Sequence, residues 1–346
     1  MLHLQPDTVR ILDLDGSVVE KQPNLMQRLG LARTQIVPVR TLGPRVRYLA
    51  GRAAMRELEQ KLAPAQRNCL TLLGSGDFHH VTAALLRQFP VSEPLSLVVF
   101  DRHPDWDRRS PWHCCGSWVV EALQMPQIQK IVFLGLGRED IQGGRINVGP
   151  VNELRAGGRV ALYPFDAPPS WTPLVFEREP FPGDPFPGFS APDLPRTPPG
   201  TSAIAWRNLA PLFSQATPEP AAEAAWEAAI RQIIDSLPTR QIYISVDKDC
   251  LIPEDAITNW EPGHLPLHRV LSALRLLSAE RDVVGVDITG EYSVPLITSP
   301  LFRFLARSDR PTSAPGHPGS LVSEPDAAAL RRNEETNGAL LDVFGF

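Results

Sequence analysis

The sequence lacks the features that mark membrane, nucleic-acid-binding and disulfide-rich proteins. It contains no apolar run of membrane-spanning length and no signal-peptide pattern, so we expect no membrane association. The net charge is −5, from 34 basic and 39 acidic residues, and no stripe of Lys and Arg predicts a nucleic-acid partner. Only four cysteines occur, with no C-x-x-C pair, which argues against a disulfide framework or a thiolate zinc site. A reducing cytoplasm fits this cysteine usage.

The apolar content is sufficient for a full globular core, since 43% of the 346 residues are hydrophobic. Apolar, β-branched runs alternate with helical patterns. This alternation predicts a three-layer α/β/α fold around a mainly parallel sheet of roughly eight strands. The predicted strands cover residues 9–14, 34–39, 69–73, 95–101, 130–136, 159–163, 241–247 and 283–287. The predicted helices include residues 51–62, 222–237 and 267–279.

Two segments differ from this pattern. Residues 164–220 are rich in proline and aromatic side chains and have no periodicity, which is unusual inside a compact domain. We interpret them as an insertion that covers a functional site or an oligomer interface. Residues 1–305 then form one α/β domain containing this insertion. Residues 306–346 form a C-terminal tail with a short helix at about 326–335 and an apolar end that docks on its own subunit or on a neighbour.

One predicted strand ends in a row of metal-ligand side chains. The apolar run 95–100 is followed by Asp101, His103 and Asp105, which alternate with other residues. Side chains two apart in an extended chain point to the same side, so these three are expected to project together if the extended conformation persists. Two carboxylates and an imidazole on one face form a metal-binding surface.

Two further strand ends add similar groups. Asp247 and Asp249 follow the run 241–246, and Asp77, His79 and His80 follow the run 70–73. In open parallel sheets, ligands bind outside the carboxyl ends of the strands. Oxygen-rich sites with some imidazole suit Mn²⁺ or Mg²⁺ better than a soft metal ion. The sequence therefore predicts a metal site at this edge of the sheet.

The order of these segments resembles the ureohydrolases, the superfamily of arginase and agmatinase. The matching segments are Gly76-Asp77-Phe78-His79, Asp101 to Asp105, Ser245 to Asp249 and Gly285-Val286-Asp287-Ile288. The resemblance covers about residues 70 to 295. The family usually has His directly after the Asp of its first motif, whereas Phe78 occupies that place here. We favour His79 as the ligand of this segment, and His80 is the alternative.

The resemblance implies an arginase-like fold and two Mn²⁺ ions per chain, bridged by a hydroxide that acts as the nucleophile. It implies hydrolysis of a C–N bond in a guanidino, amidino or amide compound, so the partner is a small-molecule substrate. Family members commonly form homo-oligomers, which we expect here as well. The six positions that match metal ligands are His79, Asp101, His103, Asp105, Asp247 and Asp249.

Two further residues are candidates for catalysis. His113 lies near the place of a family His-Gly pair that resembles a proton shuttle, and an imidazole is suited to protonating a leaving amine. An ordinary loop histidine is the alternative. The family holds guanidinium with a Glu three residues after the Asp of the last motif. Gly290 occupies that position here and Glu291 follows it, so Glu291 reaches the substrate only if a bulge turns it.

Three rival interpretations start from the same residues. Asp13-Leu14-Asp15-Gly16 resembles the nucleophile motif of haloacid-dehalogenase-type phosphatases, although a polar turn after a first strand explains it as well. A single-metal, deacetylase-like amidohydrolase uses only part of the ligand set. A catalytically inactive scaffold that binds metal is the third alternative, because the family's substrate-binding Glu is replaced.

Overall fold

A computed structural model describes residues 6–30, 33–62, 68–107, 111–137, 159–163, 219–309 and 326–346. The predicted insertion at 164–220 lies almost entirely outside the described residues. All eight predicted strands lie within them and form one sheet, in the order β2-β1-β4-β10-β9-β5-β7-β8, with every neighbouring pair parallel. These strands are β1 (Thr8–Leu12), β2 (Thr34–Val37), β4 (Cys69–Ser75), β5 (Leu95–Phe100), β7 (Ile128–Leu134), β8 (Val160–Tyr163), β9 (Gln241–Asp247) and β10 (Asp282–Glu291).

Helices cover both faces of the sheet. The central strands β4, β5 and β10 are buried over nearly their whole length, as expected for strands between two helical layers. Two hydrophobic clusters, one on each face, form the core. The helices are α1 (Pro23–Leu29), α2 (Gly43–Val46), α3 (Arg52–Leu62), α4 (Val81–Leu86), α5 (Trp118–Leu123), α6 (Glu219–Asp235), α7 (Leu267–Glu280), α8 (Pro300–Asp309) and α9 (Ala327–Val343).

The layers are α3, α4 and α5 on one face and α1, α6, α7 and α9 on the other. None of the helices in the described ranges combines the length and apolar character that crossing a bilayer requires.

A small second sheet lies beside the main one. Strand β3 (Leu49–Ala50) pairs antiparallel with β6 (His113–Cys114), with Leu49 opposite Cys114 and Ala50 opposite His113. This pairing attaches the segment after β5 to the segment before α3. His113 is therefore held by backbone hydrogen bonding and not by a free loop.

The C-terminal helix is longer than the sequence indicates, so the predicted short helix at 326–335 is wrong in extent. Helix α9 continues to Val343 and includes most of the apolar end. The Asp326 carboxylate caps its N-terminus by accepting from the Ala329 amide at 2.8 Å. The helix packs against α1 and α7 of its own chain. Its buried polar side chains, among them Asn333 and Asn337, obscure an amphipathic pattern in the sequence.

Four adjacent strands position the predicted site. The sheet order β4-β10-β9-β5 places the carboxyl ends of these strands next to one another. Phe100 is opposite Val246, and Thr289 is opposite both Asp247 and Gly74. The three predicted ligand segments therefore converge at one edge of the sheet.

Candidate metal centre

The segment after β5 turns sharply and does not remain extended. Asp105 has a φ of 45°, a left-handed conformation that is uncommon for a residue other than glycine. The Asp101 carboxylate accepts from the His103 amide at 2.7 Å, and the Asp105 carboxylate accepts from the Trp118 indole at 2.7 Å. The expectation of an extended conformation is therefore wrong at Asp105. A local turn, stabilised by these bonds, brings the three side chains together.

His79 brings the first segment to the same place. A single 3₁₀ turn, Gly76–Phe78, follows β4 and directs the imidazole toward the strand ends. Its Nδ1 lies 2.9 Å from Asp105 Oδ2, 3.2 Å from Asp101 Oδ2 and 3.5 Å from Asp247 Oδ2. Its Nε2 lies 2.8 Å from Ser245 Oγ. One ring nitrogen thus faces three carboxylates while the other is held by a hydroxyl.

A hydrogen-bonded chain extends behind the His79 ring. The Ser245 hydroxyl donates to Asp287 at 2.7 Å, and the Tyr243 hydroxyl donates to the other oxygen of the same carboxylate at 2.8 Å. Metal-ligating histidines usually have an outer partner of this kind, which fixes the ring orientation. Asp287, the aspartate of the Gly-x-Asp-Ile motif, therefore supports His79 from behind.

The carboxylates and imidazoles form two groups that share one residue. His79, Asp101 and Asp105 form the first group, and Asp101, His103 and Asp249 form the second; in each, one ligand atom per residue lies within 4.8 Å of the others. His103 Nδ1 is 2.9 Å from Asp249 Oδ2. In both groups every member is buried or nearly so, and Asp101 is common to the two.

Asp247 lies beside both groups. Its Oδ1 accepts from the Asp249 amide at 3.0 Å, and its Oδ2 is 3.5 Å from His79 Nδ1. The structure thus brings all six predicted ligand residues together. They are called the six-residue cluster below.

Three side chains of the six-residue cluster have raised pKa values when no metal is bound. Burial and the carboxylates of Asp105 and Asp249 raise the pKa of Asp101 well above its usual value. Burial and the Asp249 carboxylate raise the pKa of Asp247 to about 8. Burial by itself would lower the pKa of His79, but the carboxylates of Asp101 and Asp105 raise it well above its usual value. Carboxylates brought this close need cations, and divalent ions can replace the protons.

The atoms within the cluster support the same conclusion. In the described part of the chain, His79 Nδ1 and Asp101 Oδ2 are buried without a well-aligned hydrogen bond. Buried polar atoms in native proteins nearly always have a partner. The ligand set is rich in oxygen, which suits a hard or borderline divalent ion. The residues present fit a pair of such ions.

Comparisons with known proteins agree with this architecture. No protein-family model matches the chain. An uncharacterized protein of Thermotoga maritima is 24% identical over 286 residues, which are 83% of this chain and 80% of the relative. Proclavaminate amidino hydrolase from Streptomyces clavuligerus superposes with a TM-score of 0.52 at 14% identity, over 99% of this chain and 92% of its own. The chain has the ureohydrolase fold.

Two further solved structures share this fold. A hypothetical agmatinase from Burkholderia thailandensis superposes with a TM-score of 0.51 at 14% identity, over 98% of this chain and 85% of its own. Arginase from Bacillus subtilis superposes with a TM-score of 0.50 at 13% identity, over 97% of this chain and 98% of its own. The predicted arginase-like fold is confirmed.

The ureohydrolase fold here places His79, and not His80, in the six-residue cluster. His80 is buried, and both of its ring nitrogens lack a hydrogen-bond partner among the described residues. Burial lowers the pKa of His80 to about 3, so the ring is neutral. Phe78 is the last residue of the 3₁₀ turn, and His79 follows it directly and faces the carboxylates of the cluster.

We expect the two histidines to respond differently to substitution. His79→Gln removes an imidazole that faces three carboxylates, so Mn²⁺ occupancy should fall. His80→Gln, the matched control, should bind as much Mn²⁺ as the parent protein, even if its melting temperature falls. Elemental analysis of both variants after Mn²⁺ reconstitution checks this. Loss of Mn²⁺ from the His80 variant alone would exchange the two assignments.

The pKa shifts predict how stability depends on pH. In the metal-free protein, Asp247 ionises with a pKa of about 8 when folded, against an ordinary value of 3.8. Between these values the folded chain binds more protons than the unfolded chain, so its free energy of unfolding falls as pH rises. The raised pKa values of Asp101 and His79 act in the same direction, whereas the lowered pKa of His80 opposes them only below its ordinary value of 6.5. Urea unfolding of metal-free protein from pH 5 to pH 8 should show this fall.

The Asp247→Asn variant is the control for this dependence, because it removes one of the titrating groups and should flatten the curve. Added Mn²⁺ should bind more tightly as pH approaches 8, since binding displaces protons. Stability of the metal-free parent that increases from pH 5 to pH 8 would contradict the assignment of raised pKa values.

His113 lies outside the six-residue cluster. Its Nδ1 is 2.7 Å from Glu121 Oε1, and Glu121 also accepts from Arg87 at 3.1 Å. Burial would raise the pKa of Glu121, but His113 and Arg87 lower it. These contacts orient the His113 ring, and its role as a proton shuttle stays a prediction.

Glu291 is not brought to the cluster. The register of β10 is irregular near Thr289, as a bulge requires, but the Glu291 carboxylate is buried against Lys248, Asn337 and Asn333. Gly290 explains this arrangement, because it has a φ of 91° and packs against Asp247 and Lys248. A Cβ atom on Gly290 would lie 2.5 Å from Asp247 Oδ1 and 2.6 Å from the Lys248 nitrogen. A side chain does not fit at this position of the strand.

Glu261 and Trp260 lie beside His103, although neither was predicted as a site residue. Glu261 Oε1 lies 3.7 Å from His103 Nε2, on the side of the ring opposite Asp249. Burial would raise the pKa of Glu261, but His103 lowers it to about 2. The Trp260 ring lies 5.7 Å from the His103 ring, and its indole donates to Asp77 at 3.2 Å.

The loop that contains these two residues folds back onto the segment after β9. The Gly263 amide donates to the Asp249 carbonyl at 2.5 Å, and Leu251 bridges to Leu265. A polar Trp-Glu-Pro-Gly loop that follows a ligand strand was the available signal in the sequence.

Proposed function

We propose that this protein is a binuclear, Mn²⁺-dependent hydrolase that cleaves a C–N bond in a small guanidino, amidino or amide compound. The observation that supports it best is the pair of ligand groups that share Asp101. A carboxylate common to two groups is how a protein holds two ions close enough to act on one water molecule. The ureohydrolase fold supports this chemistry only by analogy with hydrolases that share the fold.

The cluster divides between two ions. His79, Asp101 and Asp105 would hold one ion, His103, Asp249 and Asp101 the other, and Asp247 lies beside both groups. Two divalent ions bound there would lower the pKa of a shared water and offset charge that develops on the substrate oxygen or nitrogen. Four carboxylates balance the charge of two divalent cations.

The surrounding residues orient and enclose the ligands. Ser245, backed by Asp287, holds the outer nitrogen of His79, and the Glu261 carboxylate lies 3.7 Å from that of His103. The Trp260 ring lies edge-on to the His103 ring, at 5.7 Å between centroids, and so borders the His103 side of the cluster. We propose that His113, oriented by Glu121, protonates the leaving amine.

We propose that the substrate is a small molecule and, as a separate expectation, that the chain forms a homo-oligomer. Size-exclusion chromatography with light scattering measures the oligomeric state directly.

A substrate screen tests the proposed reaction. Metal-stripped protein and the same protein reconstituted with Mn²⁺ are incubated with panels of guanidino, amidino and amide compounds, and released urea and ammonia are measured. We expect release only after reconstitution. Asp101→Asn protein is the matched control and should stay inactive. Equal release by stripped and reconstituted protein would contradict a metal-dependent reaction.

A further inference from the structure

The residue between Asp247 and Asp249 is a completely buried lysine. The Lys248 side chain is 0% exposed, although its neighbours on both sides belong to the six-residue cluster. A buried ammonium group is strongly disfavoured unless it is paired and hydrogen-bonded. A lysine at this position therefore needs a prepared environment.

Helix α9 and strand β10 supply that environment. Lys248 Nζ pairs with the Glu291 carboxylate and donates to Asn337 Oδ1 at 3.0 Å. The Asn337 amide donates to Glu291 Oε1 at 2.6 Å and to Gln22 at 2.8 Å. The Asn333 amide donates to the other oxygen of Glu291 at 3.0 Å. Both ions of the pair are thus hydrogen-bonded by side chains of α9.

Helix α9 also holds the part of the chain that follows Asp249. The Ile257 amide donates to Asn333 Oδ1 at 2.8 Å, and Asn333 Nδ2 donates to the Ile257 carbonyl at 2.7 Å. The Thr336 hydroxyl donates to the Asp255 carbonyl at 2.5 Å. Residues 248 to 257 are therefore attached to one face of α9 at several points.

A displacement of Lys248 would reach both neighbouring aspartates. Lys248–Cys250 form a single 3₁₀ turn, and the Asp247 carboxylate accepts from the Asp249 amide within it. Asp247 and Asp249 are fixed to each other by this bond, and the turn is fixed to the protein by Lys248. The direction of both carboxylates thus depends on where the ammonium group is held.

We infer that helix α9 is a positioning element of the metal centre, in which Asn337 and Asn333 fix the Lys248–Glu291 pair and thereby the ligands Asp247 and Asp249. The inference rests on the proposed binuclear function. It also gives Glu291 a role that needs no contact with substrate. Outer partners of metal ligands typically change metal affinity by about 10- to 100-fold when they are removed.

Asn337→Leu tests the inference, because it keeps a similar volume and removes three hydrogen bonds of the network. We expect the Mn²⁺ dissociation constant, measured by isothermal titration calorimetry, to rise by about 10-fold or more. The electron paramagnetic resonance spectrum of the Mn²⁺ pair should also change, because the ligands move. If this variant does not fold, Asn333→Ala serves in its place, with the same direction of change.

Glu334→Gln is the matched control on the same helix. Glu334 accepts from the Leu25 amide at 2.8 Å and from Asn24 at 2.9 Å, so it attaches α9 to α1 and not to Lys248. This variant should lower the melting temperature while the Mn²⁺ dissociation constant stays that of the parent. An equal loss of affinity in both variants would mean that α9 acts only through general stability, and would overturn the inference.

A double-mutant background separates positioning from simple packing. Lys248→Met with Glu291→Leu removes the ion pair that Asn337 serves. In that background Asn337→Leu should no longer weaken Mn²⁺ binding. If the parent protein binds two Mn²⁺ ions and the Asn337→Leu variant binds them equally well, this inference alone is overturned. A parent that binds no metal would overturn the proposed function together with it.

Discussion

Replacement of Asp101 by asparagine is expected to abolish binding of both metal ions together. Asp101 is the residue common to the two ligand groups, so its loss removes one carboxylate from each. Lewis-acid stabilisation contributes several kcal/mol, so activity should fall by roughly 10³-fold or more. Elemental analysis after Mn²⁺ reconstitution, together with initial rates on any substrate found, measures the two effects.

The metal-free Asp101→Asn protein provides its own control for folding. Burial and the carboxylates of Asp105 and Asp249 raise the pKa of Asp101, so the ionised form is disfavoured when no metal is bound. The neutral amide should therefore leave the melting temperature of the metal-free protein unchanged or raise it. Added Mn²⁺ should raise the melting temperature of the parent only, because a ligand that binds the folded state stabilises it. Unchanged metal content in the variant would contradict the assignment of Asp101.

Gly290→Ala is expected to cause the second large effect. The new Cβ would lie 2.5 Å from Asp247 Oδ1 and 2.6 Å from the Lys248 nitrogen, in a backbone with a φ of 91°. Strain and overpacking together should lower the free energy of unfolding by roughly 3 kcal/mol, and displacement of Asp247 should weaken Mn²⁺ binding. Urea unfolding and calorimetric titration check these expectations.

Gly30→Ala separates the two contributions in this experiment. Gly30 also has a positive φ, of 62°, but no atom of the described residues lies within 4 Å of the position of a Cβ. Its replacement should cost about 1 kcal/mol of backbone strain and leave Mn²⁺ affinity unchanged. The result that would contradict this account is a Gly290→Ala variant that loses only as much stability as Gly30→Ala and binds Mn²⁺ normally. It would show that the close packing of Gly290 on Asp247 and Lys248 is unimportant.

The main features of the fold could be predicted from the sequence because each central strand is a short apolar run that ends in a polar group. Strand β9 has the predicted bounds, since Asp247 ends its run. Strand β10 extends to Glu291, well beyond its predicted end at residue 287. The apolar pattern stops earlier because Thr289 and Glu291 are polar residues that are nevertheless buried. The length of helix α9 was underestimated for the same reason, because the polar residues Asn333 and Asn337 face the interior.

The candidate site was predictable in its ligand types and less so in its local geometry. The strand ends identify Asp101, His103, Asp247 and Asp249, because adjacent parallel strands bring their carboxyl ends together. The choice of His79 over His80 depends on a 3₁₀ turn that no periodicity reports. Glu261 and the partners of Lys248 are supplied by distant segments, and contacts between distant segments leave no local pattern.

Metal stoichiometry is the measurement that tests the central claim most directly. Protein purified without added metal is stripped, titrated with Mn²⁺ and analysed for bound ions per chain, alongside the Asp101→Asn variant. The proposed function predicts two Mn²⁺ per chain in the parent and almost none in the variant. One ion per chain would indicate a single-metal amidohydrolase. No bound metal in the parent would contradict the proposed function and leave the chain as a ureohydrolase fold without its metal chemistry.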